Sequence, residues 1–300
     1  MKIVHISGGL GNQMFQYAFA LSLRQLHKDD IIKVDIQHYK LPVFKKYKGN
    51  DFYHNGFEIV NVFPNADIPV ADFREIVRLS YYIPNYFLFR LFRRILPIRK
   101  KEYVHNVRQY FCYDEVALTK AGDLYYEGVW ASFHYFEGIK DEINRVYAHP
   151  VPNEYNSLLM KEMCEVDSVG IHVRRGDYNT DPEFGGICDD SYYKNAIEEI
   201  ISDGKEHVFY IFSNDLTWCK DHLENWVGDN KIVYVTENRG KDSCWDMFLM
   251  RYCKDLVIAN SSFSWWGAFL TNRNGRIIAP KKWVNRDCIV EIWDPKWIKL

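Results

Sequence analysis

The sequence predicts an α/β protein with two parallel, doubly wound sheets. Short apolar runs alternate with segments of helical periodicity along most of the 300 residues, which is the pattern of strands joined by crossover helices. Hydrophobic residues make up 47% of the chain, enough for two cores at a length that suggests two domains. We therefore expect two Rossmann-like domains, residues 1–152 and 153–300, that face each other across a cleft, and leave open whether the last residues cross back.

The N-terminal half begins as strand, glycine loop, helix and strand. KIVHI is a short apolar run that ends at Gly8 and Gly9. Helical periodicity follows in QMFQYAFALSLRQLH, and IIKVDI (31–36) predicts a second strand. YYEGVWASFHYF (125–136) predicts a strand and a turn, and the two prolines of HPVPNEYN (149–156) indicate the linker between the domains.

Strands and helices alternate more regularly in the C-terminal half. The predicted strands are SVGIHV, HVFYIFS, KIVYVTE, DLVIANS and, as the last one, RIIAP. The predicted helices are DDSYYKNAIEEIISDG, LTWCKDHLENW, SCWDMFLMRYC and SFSWWGAFL. Ligands of such sheets bind beyond the carboxyl ends of the strands, so the residues that follow each strand are the first candidates for a site.

Composition excludes several classes of protein. The net charge is −2, whereas a general nucleic-acid binder is usually far more basic. The seven cysteines are scattered without a C-x-x-C pair, so neither a zinc site nor a disulfide framework is indicated, and reduced thiols in a cytoplasmic protein fit best. No signal peptide is recognisable, and no uncharged apolar run approaches the roughly 18 residues of a membrane-spanning helix.

Residues 73–101 are basic and aromatic. They carry eight Arg or Lys against one Glu. One interpretation is a set of short surface helices. The other is an amphipathic surface that rests on an anionic membrane, at its inner face, or that holds a lipid-linked substrate.

The motif HVRRGDY (172–178) puts a histidine, two arginines and an aspartate at the carboxyl end of a predicted strand. Guanidinium groups match phosphate oxygens in geometry and stay charged. Neighbouring side chains point in opposite directions, so one arginine can meet a ligand while the other ties down the loop. We predict an anion site made by His172, Arg174, Arg175 and Asp177; a structural Arg–Asp pair is the alternative.

The motif ANSSFSWWGAFL (259–270) leads from a strand into a helix. Ser261, Ser262 and Ser264 cluster at the helix start, where free backbone N–H groups form an anion site. An ordinary serine cap is the alternative. Trp265 and Trp266 are assigned to packing rather than to catalysis.

The glycine loop GGLGNQ (8–13) is a weaker signal. Gly9 and Gly11 allow a backbone to approach a ligand closely, and Asn12 and Gln13 add amide donors at a helix start. The loop matches neither G-x-G-x-x-G nor the P-loop pattern.

Two further aspartates are candidates for reading the edge of a guanine base. Asp215 lies in FSNDLTW and Asp246 in SCWDMFL. Helix capping is the alternative for both. We find no D-x-D metal motif near the strands of the second domain and no Ser/His/Asp triad order, so a metal site is not predicted.

These motifs together resemble the bacterial-type α-1,2-fucosyltransferases of glycosyltransferase family 11. The resemblance spans Gly8 to about Pro280 and rests on GGLGNQMFQYAFA, HVRRGDY, FSNDLTWC and CKDLVIANSSFSWWGAFL. The H-x-R-R-x-D block is shared with α-1,6- and protein O-fucosyltransferases, whereas ANSSFSWWGA is much more specific to family 11. The stretch RYCKDL (251–256) departs from the usual family pattern, which we expect to alter surface contacts rather than chemistry.

The resemblance implies a GT-B fold, GDP-β-L-fucose as donor substrate, inversion to an α-fucoside, and neither a metal nor another cofactor. It implies that Arg174 holds the β-phosphate and that His172 lies near the ribose or guanine, while Arg175 and Asp177 brace the loop. It also implies that Asn12 faces the fucose and diphosphate, so that Arg174 and Asn12 are the catalytic residues. The other implied donor contacts are the three serines 261, 262 and 264 with the diphosphate and Asp246 with guanine.

The expected acceptor is the 2-hydroxyl of a terminal β-galactoside in a surface glycan or oligosaccharide. The residue that accepts the proton of this hydroxyl is left open between Asp35, His134 and Glu137, because no spacing distinguishes them. Two other functions also stay open: a non-catalytic protein that binds nucleotide sugar or glycan, and a fucosyltransferase that forms another linkage.

Overall fold

The computed structural model describes residues 1–40, 55–80, 88, 100–106 and 111–300, without the side chains of residues 105, 106, 177 and 179. The chain divides into two compact units. The first unit consists of Met1–Pro150 and Ile289–Ile292, and the second unit consists of Val151–Cys288 and Trp293–Leu300.

A parallel sheet forms the centre of the first unit. Its described strands lie in the order β2-β1-β4-β3, so the chain crosses over the sheet between neighbours, as expected for a doubly wound fold. Val4 of the central strand is paired with Val34 on one side and Tyr126 on the other. The strands are β1 (Lys2–His5), β2 (Ile32–Asp35), β3 (Tyr103–Asn106) and β4 (Leu124–Gly128).

The helix that follows the glycine loop is almost entirely buried. This helix, α1 (Leu10–Leu26), is apolar on most of its circumference, as a helix must be when other elements surround it. Phe19 stacks on Trp130, with ring centroids 4.2 Å apart. Trp130 has a φ of 59°, a conformation uncommon for a bulky residue, and this stack holds its fully buried ring.

Shorter helices complete the first unit. The described ones are α2 (Ile59–Val62), α3 (Phe73–Leu79), α4 (Glu115–Thr119) and α5 (Lys140–Val146). The segment Ile289–Ile292 belongs here because the backbone of Glu291 donates to Phe111 O (2.7 Å) and accepts from Phe133 N (3.0 Å).

Most of the basic and aromatic segment 73–101 lies outside the described residues. Its described beginning, α3, is capped by Asp72. Ile76 and Leu79 are buried, and Arg78 lies 3.0 Å from Asp123. This part is therefore a surface helix packed on its own unit, which does not decide between the two interpretations of the segment.

A second parallel sheet forms the centre of the second unit. Its described strands lie in the order β10-β9-β8-β5-β6-β7. The prediction that RIIAP is the last strand is wrong, because β10 pairs with β9. The strands are β5 (Ser168–Val173), β6 (Val208–Ser213), β7 (Lys231–Tyr234), β8 (Asp255–Val257), β9 (Ile277–Ala279) and β10 (Ile298–Lys299).

Polar side chains cap most helices of the second unit. Asn153, Asp189, Asp215 and Ser261 each accept a hydrogen bond from the first turn of the helix that follows, which satisfies a donor that the helix itself leaves unpaired. The end of the predicted linker 149–156 is thus already helical. The helices are α6 (Glu154–Glu165), α7 (Asp190–Ile201), α8 (Leu216–Trp226), α9 (Cys244–Met250) and α10 (Ser262–Phe269).

Among the residues that the structure describes, none of the helices is both long and apolar enough to cross a bilayer.

Candidate anion site at the strand ends of the second unit

Three polar loops follow neighbouring strands of the second sheet. β5 pairs with β6 on one side and with β8 on the other, in parallel, so the three strands end at the same edge. Arg174 follows β5, Asn214 follows β6, and Asn260 lies three residues beyond β8. The alternation of strands and helices therefore brings together motifs that are up to 86 residues apart in the sequence, such as Arg174 and Asn260.

Arg174 is half-buried at this edge. Its guanidinium carbon lies 5.5 Å from the ring centroid of Tyr178, within the range of a cation–π contact. The positive charge of Arg174 therefore lies against the loop Gly176–Thr180, which contains Tyr178.

Arg175 is held by the neighbouring strand end. Its backbone N–H donates to Asn214 Oδ1 (3.0 Å), its Nε lies 3.5 Å from Asp215 Oδ2, and its guanidinium covers the ring of Trp218 at 4.5 Å. Asp215 also caps α8. These contacts give Arg175 a bracing role with Asp215 as its partner, while the side chain of Asp177 lies outside the described part.

His172 lies at the end of β5 and is 6% exposed. Burial and the charge of Arg174 lower its pKa to about 3, so the ring is neutral at physiological pH. Nδ1 is buried, and no described residue bonds to it. A buried polar atom without a partner costs free energy. A ligand that forms a hydrogen bond to this nitrogen would remove that cost, which favours binding. The ring centroid lies 5.9 Å from that of Phe263 in α10.

The three serines at the start of α10 differ in their surroundings. The hydroxyl of Ser261 accepts from Phe263 N at 3.4 Å and so caps the helix, and Ser262 is half-buried in the first turn. Ser264 is fully buried, and its hydroxyl donates to Ala259 O (3.4 Å) and Ser261 O (3.3 Å). The prediction of a diphosphate contact for Ser264 is corrected, because its hydroxyl has no surface and bonds to the backbone.

The residues of the glycine loop of the first unit differ in their burial. Gly8 has a φ of +80°, and Gly9 precedes α1 in an extended conformation. Gly11 is buried in the helix. Gln13 is fully buried; its amide donates to Gly8 O and Gly56 O and accepts from Glu58 N.

Gln13 is therefore corrected to a structural residue, because it presents no surface to a ligand, while the predicted contact of the buried Gly11 stays a prediction. Gly9 and Asn12 are half-buried. They lie in the first unit, and their predicted contacts with the donor stay predictions.

Asp246 lies in the first turn of α9. Its Oδ1 accepts from Asn238 Nδ2 at 3.0 Å, and Asn238 is joined to the fully buried Asn156 by hydrogen bonds in both directions. Burial raises the pKa of Asp246 to about 7, against the smaller effect of the Asn238 hydrogen bond, which lowers it. The amide pair fixes one carboxylate oxygen, so that the group offers a ligand a defined acceptor.

The three candidate bases of the first unit also differ. Asp35 is fully buried and accepts from Tyr125 OH (2.7 Å) and Gln37 N (2.8 Å), so it has no surface for an acceptor sugar. His134 and Glu137 are exposed and lie 3.2 Å apart. Both side chains are therefore accessible, and the carboxylate of Glu137 can orient the imidazole of His134.

The strand ends of the second unit can bind an anion with a polar organic part. Arg174 supplies a fixed positive charge, the N terminus of α10 supplies free N–H groups, and His172 supplies a neutral ring nitrogen. No cluster of three or more metal-binding side chains occurs among the described residues. A nucleoside diphosphate has the charge and the hydrogen-bonding groups that this combination would recognise.

Comparison with known proteins agrees with the resemblance seen in the motifs. The family model "Glycosyl transferase family 11" matches residues 91–300. The chain is 29% identical to an α-1,2-colitosyltransferase of Escherichia coli, over 99% of this chain and 98% of that protein. It is 29% identical to human galactoside α-(1,2)-fucosyltransferase 1 over 34% of this chain and 28% of that protein.

A solved structure shows the same fold. The crystal structure of the fucosyltransferase NodZ from Bradyrhizobium matches with a TM-score of 0.50 at 13% identity, over 92% of this chain and 94% of that one. At this identity the likeness concerns the fold alone, and it confirms the predicted GT-B type.

Proposed function

The chain belongs to glycosyltransferase family 11, and we propose that it transfers L-fucose from GDP-β-L-fucose to the 2-hydroxyl of a terminal β-galactoside. The observation that carries this proposal is the position of Arg174 and of the start of α10 after the ends of two neighbouring strands, β5 and β8. The α-1,2 linkage is supported by the names of the relatives, an α-1,2-colitosyltransferase and a galactoside α-(1,2)-fucosyltransferase.

In the proposed reaction the acceptor oxygen attacks the anomeric carbon as the bond from this carbon to the β-phosphate oxygen breaks. The electron pair of that bond goes to GDP, and the proton of the hydroxyl goes to a base or to water, so that β-linked fucose becomes an α-fucoside. Negative charge grows on the leaving diphosphate. Arg174 and the N–H groups of α10 stabilise this charge in the transition state more than in the ground state, which lowers the barrier.

The other residues of the site bind and orient the nucleotide in this proposal. His172 offers its neutral ring to the ribose or base, and Arg175 keeps the loop in place through Asp215 and Trp218. Asp246 accepts the N–H groups at the edge of guanine, with its carboxylate held by Asn238. The contact of Asn12 with the fucose stays a prediction from the resemblance.

Colitose is a second candidate for the sugar. A relative that aligns over 99% of this chain is named an α-1,2-colitosyltransferase, and colitose differs from L-fucose by the absence of the 3-hydroxyl. The chemistry at the anomeric carbon is the same for both. The two donors are distinguished by offering each GDP sugar separately and comparing kcat/KM.

The deciding experiment is incubation with GDP-fucose and lactose, followed by determination of the product linkage by NMR. We expect a single product with fucose α-linked to the galactose 2-position. A protein that only binds nucleotide sugar would release no fucosylated product, and an enzyme of another linkage would give different connectivity. Either result would overturn the proposal.

The pKa of Asp246 predicts a pH dependence of nucleotide binding. Since only the carboxylate accepts the guanine N–H groups, GDP affinity should fall by about tenfold for each pH unit below 7 as the group is protonated. Calorimetric titration of GDP between pH 5.5 and 8.5 measures this. The phosphate of GDP titrates in the same range, so Asp246→Asn serves as the control: it should bind more weakly at pH 8 and lose the part of the slope that Asp246 contributes.

The raised pKa of Asp246 affects the stability of the ligand-free protein in the opposite direction: GDP affinity is expected to rise with pH, whereas the contribution of Asp246 to folding stability falls. Because burial raises the pKa of Asp246 above its ordinary 3.8, the shift stabilises the fold at low pH, and this contribution is lost as the pH rises through about 7. Asp246→Asn should therefore unfold at a temperature no lower than the parent at pH 8. A variant that unfolds much earlier would assign Asp246 to structure instead of guanine recognition.

A further inference from the structure

The loop after Arg174 is closed on itself by backbone hydrogen bonds. Tyr178 O accepts from Asp181 N (3.2 Å), and Asp181 O accepts from Gly185 N (2.9 Å). The side chain of Asp181 accepts from the N–H of Phe184 at 3.1 Å. The loop therefore has a defined shape of its own in the second unit.

Gly185 lets the two halves of this loop approach each other closely. A Cβ atom at this position would lie 2.4 Å from Tyr178 O and 2.6 Å from Asp181 O. Both are backbone atoms that a rotamer change cannot move. The absence of a side chain is thus required for the contact that fixes the backbone of Tyr178.

The ring of Tyr178 contacts both a guanidinium and a neighbouring aromatic ring. The guanidinium carbon of Arg174 lies 5.5 Å from its centroid, and the ring of Phe184 is stacked on it with centroids 5.5 Å apart and planes inclined by 26°. A ring that is stacked on a neighbour has lost most of its rotational freedom. The face that it offers to the arginine is therefore fixed before any ligand binds.

A buried asparagine ties this loop to the start of α10. Asn260 is 2% exposed, and its Nδ2 donates to Phe184 O (3.0 Å) and Trp283 O (3.2 Å). Its Oδ1 accepts from the thiol of Cys188 at 3.4 Å. Asn260 directly precedes Ser261, the cap of α10, so one amide connects the support of Arg174 with the helix N terminus.

We propose that Tyr178 is the positioning residue for Arg174: with Phe184, Gly185 and Asn260 it holds the guanidinium in the orientation that meets the β-phosphate of the bound nucleotide. The inference rests on the proposed function, because it assigns Arg174 to a diphosphate. A guanidinium held in place by the protein loses less freedom on binding, and this improves both affinity and rate.

The test compares GDP and GMP, because only GDP carries the β-phosphate. Tyr178→Leu removes the π face, whereas Tyr178→Phe keeps it. Without the ring, the guanidinium has to be ordered when the nucleotide binds, so we expect Tyr178→Leu to lower GDP affinity by roughly 2- to 10-fold. We expect its GMP affinity and the GDP affinity of Tyr178→Phe to stay near those of the parent, by calorimetric titration.

A double-mutant cycle checks that the effect passes through the arginine. In the Arg174→Ala background, adding Tyr178→Leu should cause no further loss of GDP affinity, since the group that the ring positions is gone. Tyr234→Leu is the matched control. It removes a ring of β7, which β6 separates from β5; this ring lies 5.6 Å from Lys220 Nζ, and its removal should leave GDP affinity unchanged.

The outcomes separate the two proposals. If the parent protein does not bind GDP, the proposed function fails and the inference with it. If the parent binds GDP but Tyr178→Leu binds as the parent does, or weakens GDP and GMP equally, the positioning role is wrong while the function stands. Should Tyr178→Leu lower the unfolding temperature, Tyr178→Met, which also lacks a π face but is closer in length, gives the same comparison.

Discussion

Replacing Arg174 by alanine is expected to reduce sugar transfer by about 10²- to 10³-fold, the usual cost of losing one donor that stabilises charge in a transition state. Arg174 lies at the surface edge of the sheet with its charge on the ring of Tyr178, so the sheet itself does not need it. The variant should therefore keep the circular dichroism spectrum and unfolding temperature of the parent. The measurement is kcat with GDP-fucose at saturating acceptor.

Two further variants sharpen this result. Arg174→Lys keeps the charge but lacks the two-pronged geometry that matches phosphate, and it should recover only part of the lost rate. Lys282→Ala removes an exposed cation of the same unit and should be as active as the parent. Full activity of Arg174→Ala would end the assignment of the HVRRGDY motif to the leaving group.

Replacing Trp265 by alanine should lower the free energy of unfolding by about 3 to 5 kcal/mol, as for other buried tryptophans. Trp265 is fully buried. It stacks on Phe269 with centroids 4.8 Å apart and lies 5.7 Å from the ring of Trp297. Its removal leaves a cavity between α10 and the segment that carries β10. Urea denaturation followed by circular dichroism measures the change.

Trp265→Phe is the matched control, because it keeps the stack on Phe269 and loses only part of the volume; its cost should be clearly smaller. Below the unfolding transition, Trp265→Ala should still bind GDP, since the ring is assigned to packing. A stable variant that fails to bind GDP would instead connect Trp265 to the site.

The elements that the sequence predicted best are those with a strong period and a clear boundary. LTWCKDHLENW is the helix Leu216–Trp226, because its apolar residues lie on one face and Asp215 caps it. The short strands β3 and β10 were missed. A strand of two to four residues has too few side chains to show alternation, and β10 is a strand because β9 offers an unpaired edge, which the local sequence does not reveal.

The candidate site can be proposed from the sequence only as far as residue chemistry and strand ends allow. Arg174, His172 and Ser261 follow from the types of side chain that bind anions and from their position after a strand. The burial of Gln13 and Ser264 could not be predicted, because a polar side chain whose hydrogen bonds go to the backbone has the same letter as one that meets a ligand. The role of Asn260 could not be predicted for a related reason. Its position beside the serines does not reveal that its amide bonds to the backbone of Phe184 and Trp283.

The return of Ile289–Ile292 to the first unit has a consequence for the order in which the protein matures. Glu291 bonds to the backbone at Phe111, Tyr113 and Phe133, yet the ribosome adds it only after the whole of Val151–Cys288. These hydrogen bonds of the first unit can therefore form only after Val151–Cys288 of the second unit has been synthesised. Truncation before Ile289 would leave the amino-terminal sheet in place but deprive its loops of these partners.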